Sequence, residues 1–256
     1  MWRTWQRRNV SCQASGNQKL PADVRQGSTA IADLSIPYNA LSGDFPVTTP
    51  DVLLFDLGGV LVDFSGIDGL RGMLRTPAEA AAIRHRLVAC PLLRQLEVGA
   101  LEPLPFAEAF VAEWDLVVPP ATFLVEFRSW SRALLPGARE LLDALRPRYR
   151  LAALSNSNAV HWDRNTTDLG ITALFDSAYS SHQLGCHKPE PAIYREALAR
   201  LGVPADRVVF FDDFEPNVVG ARAEGITAFQ VRGVAQLTAC LREHGFMTGV
   251  TVQSAQ

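Results

Sequence analysis

The sequence predicts an α/β protein built on a doubly wound parallel sheet, with an all-α segment inserted after the first strand. Three observations predict it. Short, wholly apolar runs recur along the chain, helical patterns separate them, and one stretch, 66–134, carries helical periodicity alone. Apolar runs bounded by turn signals suit strands buried on both faces of a parallel sheet. Strands alternating with helices imply right-handed crossovers, which place helices on both faces of that sheet.

Taken in order, residues 1–50 carry Arg3, Arg7, Arg8 and Lys19 before the first acid, Asp23, and sustain no period. The expectation is a disordered extension or an organelle-targeting segment, because transit peptides are Arg-rich and acid-poor. The first strand is the run VLLF at 52–55, which leads into Asp56-Leu57-Gly58-Gly59. The same shape recurs at 151–154 (LAAL) before Ser155-Asn156, at 208–211 (VVFF) before Asp212-Asp213, and at 226–229 (ITAF) before Gln230-Val231. Between these runs, Leu141, Leu142 and Leu145 form a helical stripe over 137–146. Ile193, Ala197, Leu198 and Leu201 form another, opened by Pro189 and stopped by Gly202.

Inside 66–134, Thr76-Pro77-Ala78-Glu79 has the pattern of a capping box, followed by Ile83 and Leu87. Phe106, Phe110 and Trp114 make a second stripe; Phe123, Phe127, Trp130 and Leu134 make a third. Aromatic stripes of this kind form the core of a helical bundle. The expected organisation is an α/β core at 51–65 and 135–245, a helical insertion at 66–134 and a C-terminal tail at 246–256.

Composition narrows the class. The chain has 256 residues, 48% of them hydrophobic and 20% charged, and a formal net charge of −3. That length suits one large domain or a domain with a small insertion. No basic excess is available for nucleic-acid phosphates, and no apolar run reaches the roughly eighteen residues of a membrane span. Cys12, Cys90, Cys186 and Cys240 form no CxxC pair, so buried thiols are expected rather than a zinc site or a disulfide framework. The expectation is a soluble cytoplasmic protein, a monomer or homodimer, with no nucleic-acid or membrane partner.

In a doubly wound sheet, ligands bind beyond the carboxyl ends of the strands. The polar residues that follow the apolar runs all fall there. Asp56 is a carboxylate at a strand end, with glycines that let backbone approach a ligand, although an acid capping the next turn looks the same in isolation. Asp212-Asp213 places two like charges side by side, at a cost of up to roughly 4 kcal/mol at ~4 Å and an effective dielectric of ~20. A divalent cation removes that cost, and hard oxygen ligands suit Mg²⁺; a solvated turn is the alternative. Lys188, in a Gly-Cys-His-Lys-Pro turn, can bring a positive charge to an anionic site. At Ser155-Asn156, the Ser hydroxyl and the adjacent backbone N–H groups can donate to phosphoryl oxygens.

Together, the segments FDLGGVLVD (55–63), LSNSN (154–158), GCHKPEPAIY (185–194) and FFDDFEPNVVGARAEGI (210–226) resemble the four motifs of the haloacid-dehalogenase-like superfamily, over about residues 51–235. The DLG opening and LSNSN are similar to sugar-phosphate phosphatases and to the phosphatase-like domain of epoxide hydrolases. The resemblance implies a Rossmann-like core, and it makes the helical insertion an α-helical cap. It implies a Mg²⁺-dependent phosphomonoesterase acting on a small phosphorylated metabolite. Asp56 would be the nucleophile that becomes an aspartyl-phosphate. Asp56, the Gly58 carbonyl, Asp212 and Asp213 would hold the metal, with Asn217 orienting those ligands or else only capping the next helix. Ser155, Asn156 and Lys188 would bind the phosphoryl group, and Lys188 would also offset charge at Asp56.

One position departs from that pattern. The superfamily's phosphatases carry a second Asp two residues after the nucleophile, a general acid–base worth 10² to 10⁴ in rate. Here Gly58 stands in its place. A leaving group that needs little protonation would tolerate the loss. Asp63, His161, His182 or His187 could substitute. Alternatively, the chain binds a phosphorylated ligand without turnover. A haloacid dehalogenase needs neither acid nor metal, but it has no use for the Asp212-Asp213 pair.

Overall fold

Val52, Leu53, Leu54 and Phe55 are wholly buried and form β1 (Val52–Phe55), the central strand of the computed structural model, which describes residues 49–247. The expectations for residues 1–48 lie outside the described residues. β1 pairs in parallel with β4 (Arg150–Ser155) on one side and with β6 (Val208–Asp212) on the other. β5 (Ser177–Ser180) and β7 (Thr227–Gln230) complete a five-stranded parallel sheet in the order β5-β4-β1-β6-β7.

The period of two along each strand divides the core. Leu53, Phe55, Leu151, Ala153, Val209 and Phe211 pack with α6 (Ala138–Leu145) and α11 (Gly233–Glu243). Val52, Leu54, Ala152, Leu154, Val208 and Phe210 pack with α9 (Pro191–Leu201) and α10 (Glu215–Ala223). Apolar residues on both faces of one strand are what made these runs continuous rather than alternating. The chain moves from β1 outward through β4 to β5, then returns to the far side of β1 for β6 and β7. The order therefore reverses between β1 and β6, the place where such sheets open a crevice at their carboxyl ends.

The insertion is helical: α1 (Gly66–Met73), α2 (Ala80–Val88), α3 (Pro91–Glu97), α4 (Pro103–Glu113) and α5 (Pro120–Ser129). Its own core gathers Leu70, Ile83, Leu96, Phe106, Phe110, Trp114, Phe123, Phe127 and Trp130. The aromatic stripes interleave, with Phe110 stacked on Trp114 at 5.0 Å and on Phe123 at 5.1 Å between ring centroids.

Several local expectations are corrected. The third stripe does not run to Leu134: α5 ends at Ser129, and β3 (Ser131–Leu134) pairs antiparallel with β2 (Val62–Phe64), so that two short strands tie the insertion's ends together. Thr76 caps nothing. Arg75 N–H bonds the Asp115 carbonyl and Leu74 bridges Leu116, which hold the chain extended before α2 starts, with Glu79 as its N-cap. α9 opens at Pro191 rather than Pro189. β5, whose sequence is SAYS, carries no apolar run because it is a half-buried edge strand. Cys90 is buried, but Cys186 and Cys240 are only partly so, and none of the three is in a disulfide. Phe246 and Met247 pack into the core rather than beginning a tail. Among the described residues, no helix is long and apolar enough to cross a membrane.

Candidate active site

Asp56 follows β1 directly, and its backbone N–H extends the ladder to β6 by bonding the Phe211 carbonyl at 2.8 Å. The chain then folds back tightly, with the Leu61 and Val62 N–H groups both on the Leu57 carbonyl at 2.9 and 2.8 Å. Gly59 is required in this turn: its φ is +75°, and a Cβ there would lie 2.7 Å from Asp213 Oδ2. Gly58 differs. A Cβ added to it meets nothing within 4 Å, so the space for a side chain is open.

Across the switch point, β6 ends in Asp212, which is fully buried, and Asp213 follows, partly buried. Asp212 is held from three directions. Its Oδ1 accepts from Phe214 N–H at 2.8 Å, Asn217 Nδ2 lies 3.0 Å from both oxygens, and Lys188 Nζ donates to Oδ2 at 2.7 Å. Asn217 is not the cap of α10, which is Phe214, so its amide serves Asp212.

Lys188, 1% exposed, is the centre of charge in the site. Its ammonium donates to Asp56 Oδ1 at 2.9 Å, to Asp212 Oδ2 at 2.7 Å and to the Leu154 carbonyl at 2.8 Å, so all three hydrogens have acceptors. Burial opposes the charged lysine, but Asp212 and Asp56 outweigh it and raise its pKa. Burial pushes the Asp56 carboxyl up to about 7; Lys188 pulls against that, while Asp212 and Asp213 add to it. Burial and then Asp212 also raise Asp213, against Arg232, Lys188 and Arg84. Arg232 reaches Asp213 at 3.6 Å.

One oxygen from each of Asp56, Asp212 and Asp213 lies within 4.8 Å of the others. Three carboxylates stand against one buried ammonium, and burial first, with neighbouring carboxylates adding to it, raises the pKa of Asp56 and of Asp213. This all-oxygen donor set fits a hard divalent cation. Asp56, Asp212 and Asp213 could all hold it, with the Gly58 carbonyl beside them in sequence.

Ser155 closes β4 and is buried, one strand over from Asp56. Asn156 follows Ser155. Its side chain is spent on the Lys188 loop: Oδ1 accepts from Lys188 N–H at 2.8 Å, and Nδ2 donates to the Lys188 carbonyl at 2.9 Å and to His187 Nδ1 at 3.2 Å. Both amide hydrogens are committed, so only the main chain of Asn156 is left to meet a phosphoryl oxygen.

The four candidates for a substitute acid are engaged elsewhere. Asp63 is half-buried and faces Arg132 at 3.8 Å. His161 is buried beside Phe127, bonds its carbonyl at 2.6 Å, and is driven down to about 4, chiefly by burial. His182 contacts Ser180 Oγ at 2.5 Å. His187 has both ring nitrogens bonded, to Asn156 and to Glu97. Of the cap arginines, Arg128 pairs with Asp163 and Asp168, Arg94 pairs with Glu190, and Arg71 is exposed on α1. Sequence reasoning missed Glu97 and Arg84, which lie on helices whose periodicity reports packing and not the site.

The chain is similar to known proteins. Residues 50–225 match the haloacid dehalogenase-like hydrolase family. The glyceraldehyde 3-phosphate phosphatase of Methanothermobacter thermautotrophicus is 32% identical over 213 residues, 78% of this chain and 92% of that protein. Rat bifunctional epoxide hydrolase 2 is 26% identical over 80% of this chain and 40% of its own length. A HAD family enzyme from Bacteroides thetaiotaomicron, crystallised with magnesium and inorganic phosphate, shares the fold with a TM-score of 0.60 at 24% identity, over 72% of this chain and 94% of that one. The chain belongs to the haloacid dehalogenase-like hydrolases.

Proposed function

We propose that the chain is a Mg²⁺-dependent hydrolase of small phosphate monoesters, sugar phosphates among them, working through an aspartyl-phosphate on Asp56. One observation carries the reading: the Lys188 ammonium bridges Asp56 and Asp212, with Asp213 in reach of the same point. Mg²⁺, held by Asp56, Asp212, Asp213 and the Gly58 carbonyl, would supply charge neutralisation at the phosphoryl group. The fit rests on the donor set, and the magnesium in the Bacteroides enzyme is in keeping with it.

In this mechanism an Asp56 oxygen attacks phosphorus, an O–P bond forms, and the P–O ester bond breaks. Without a carboxyl at position 58, the departing alkoxide takes its proton from solvent. Water then attacks the same phosphorus, the Asp56–phosphorus bond breaks, and inorganic phosphate leaves as the carboxylate is restored. Lys188 holds Asp56 in place and, before attack and after hydrolysis, favours its carboxylate form. Ser155 Oγ and the Asn156 main chain receive the phosphoryl oxygens. The helical segment 66–134 acts as a cap that excludes water and selects the substrate.

The test is turnover of p-nitrophenyl phosphate and a sugar-phosphate panel, with Mg²⁺ and with chelator, for the wild type and Asp56→Asn. Metal-dependent turnover that Asp56→Asn abolishes is the expected result; metal-independent turnover, or turnover that survives in Asp56→Asn, overturns it. Gly58 favours a second reading, a chain that binds phosphorylated ligands with little turnover. No hydrolysis across the panel, with phosphate binding retained, selects that one. Dehalogenation needs no metal and gives the Asp212-Asp213 pair no role.

A further inference from the structure

Lys188 sits in a loop between α8 (Ser181–Leu184) and α9, yet its ammonium has to meet two carboxylates at once. Something outside the loop must fix it. The Asn156 carboxamide grips both the N–H and the C=O of Lys188, and its remaining hydrogen points to His187 Nδ1 at 3.2 Å. That bond requires a lone pair on Nδ1 and therefore a proton on Nε2. His187 Nε2 in turn donates to Glu97 Oε2 at 2.8 Å. Glu97 is the last residue of α3, in the helical insertion.

Two further features show that this contact is built. An acid in the last turn of a helix opposes the helix dipole, so Glu97 is not there for α3's sake. The turn after α3 also closes on the same loop region: a Cβ at Gly99 would lie 2.6 Å from the His182 carbonyl oxygen, and Arg94 pairs with Glu190.

From these contacts we infer that Glu97, His187 and Asn156 form a positioning relay, which makes the placement of Lys188 depend on α3 being docked. The inference rests on the phosphatase reading for its consequence, because a loosely held Lys188 would misplace the charge at Asp56. Errors of about 1 Å in such positioning cost on the order of 10²-fold in rate. The relay residues act through Lys188 and are not themselves at the reacting atoms.

The experiment compares Glu97→Ala with Glu97→Gln, which keeps an oxygen acceptor for His187. With Mg²⁺ and a phosphate ester, Glu97→Ala should lower kcat by roughly 10- to 100-fold and leave KM within about threefold, and Glu97→Gln should recover most of the loss. Independently of turnover, amide hydrogen exchange at Lys188 should quicken in Glu97→Ala. The imidazole ¹⁵N shifts of His187 should report the Nε2–H tautomer in the wild type and a mixture in Glu97→Ala. Unchanged Lys188 exchange and an unchanged His187 tautomer in Glu97→Ala overturn the relay, whether or not the wild type turns over. A wild type without turnover but with these two shifts sinks the phosphatase reading and leaves the relay standing.

Discussion

Lys188→Met exposes the charge logic of the site most directly, because it removes the ammonium and keeps an unbranched side chain of similar length. In the folded protein, Nζ lies 2.9 Å from Asp56 and 2.7 Å from Asp212, with the lysine side chain 1% exposed. At an effective dielectric of ~20, each contact is a gross attraction of roughly 6 kcal/mol. Desolvation of the buried charges cancels much of that, and deleting one partner of a buried ion pair costs about 3–5 kcal/mol because the other is left unpaired. The loss should depend on pH. Asp56 already stands near 7, pushed there first by burial, and without Lys188 it moves higher. Between about pH 4 and that raised value, the folded protein holds a proton that the unfolded chain has released, so stability falls as pH rises through the window. The proton takes the place of the ammonium at the acid end. Urea unfolding in chelator should therefore show a deficit against wild type of about 3–5 kcal/mol at alkaline pH, shrinking by half or more near pH 5. A deficit below ~1 kcal/mol, the range of an exposed pair, or one that does not change with pH, would refute the claim that Lys188 is the buried counter-charge.

Two other predictions follow from the same coordinates. Gly58→Asp has open space for its side chain; if the missing acid limits the rate, it should raise kcat/KM for alkyl phosphates by on the order of 10²-fold and do far less for p-nitrophenyl phosphate, whose leaving group needs no proton. Equal effects on both esters, or none on either, would count against that explanation. His161 is buried neutral, with its pKa driven from 6.5 down to about 4, first by burial. The unfolded chain gains a proton below 6.5 that the folded one refuses until about 4, so stability is lost as pH falls through that interval, by up to ~3 kcal/mol. His161→Gln should flatten this acid limb in urea titrations between pH 7.5 and 4.5, and parallel acid limbs for variant and wild type would show that the histidine is not its source.

What the sequence made legible follows burial. The strands β1, β4 and β6 could be read because most of their residues are covered, which leaves apolar runs that solvent-facing residues rarely interrupt. β5 is an edge strand of Ser, Ala and Tyr, so its pairing with β4 leaves no apolar signal. β2 and β3 exist only through each other, and the spacing of Leu134 four residues after Trp130 fits a helix as well as it fits a turn into a strand. Asp56, Lys188, Asp212 and Asp213 were legible because carboxylates that end buried strands have one address in a doubly wound sheet, although 132 residues separate Asp56 from Lys188. The sequence left the Asn156 amide open for a physical reason: a carboxamide at a strand end can serve a ligand or the neighbouring backbone, and only the position of the Lys188 loop decides between them.

The same limit explains why the insertion's role in the site could not be read from its pattern. Its aromatic stripes report a core of its own, with Phe106, Phe110, Phe123 and Phe127 fully or almost fully buried, and that core would form equally well in a bundle that touched nothing else. The connection to chemistry runs instead through polar residues without periodicity. Glu97 reaches His187 across 90 positions, Arg94 reaches Glu190, and Arg84 adds its charge near Asp213. Three carboxylates outnumber the Lys188 ammonium even with Arg232, itself a core residue, 3.6 Å from Asp213. On the phosphatase reading proposed above, a bound cation would make up that difference. Arg94 spends its charge on Glu190, so what the inserted helices bring to the loop that carries Lys188 is attachment, through Glu97–His187 and Arg94–Glu190, rather than free positive charge.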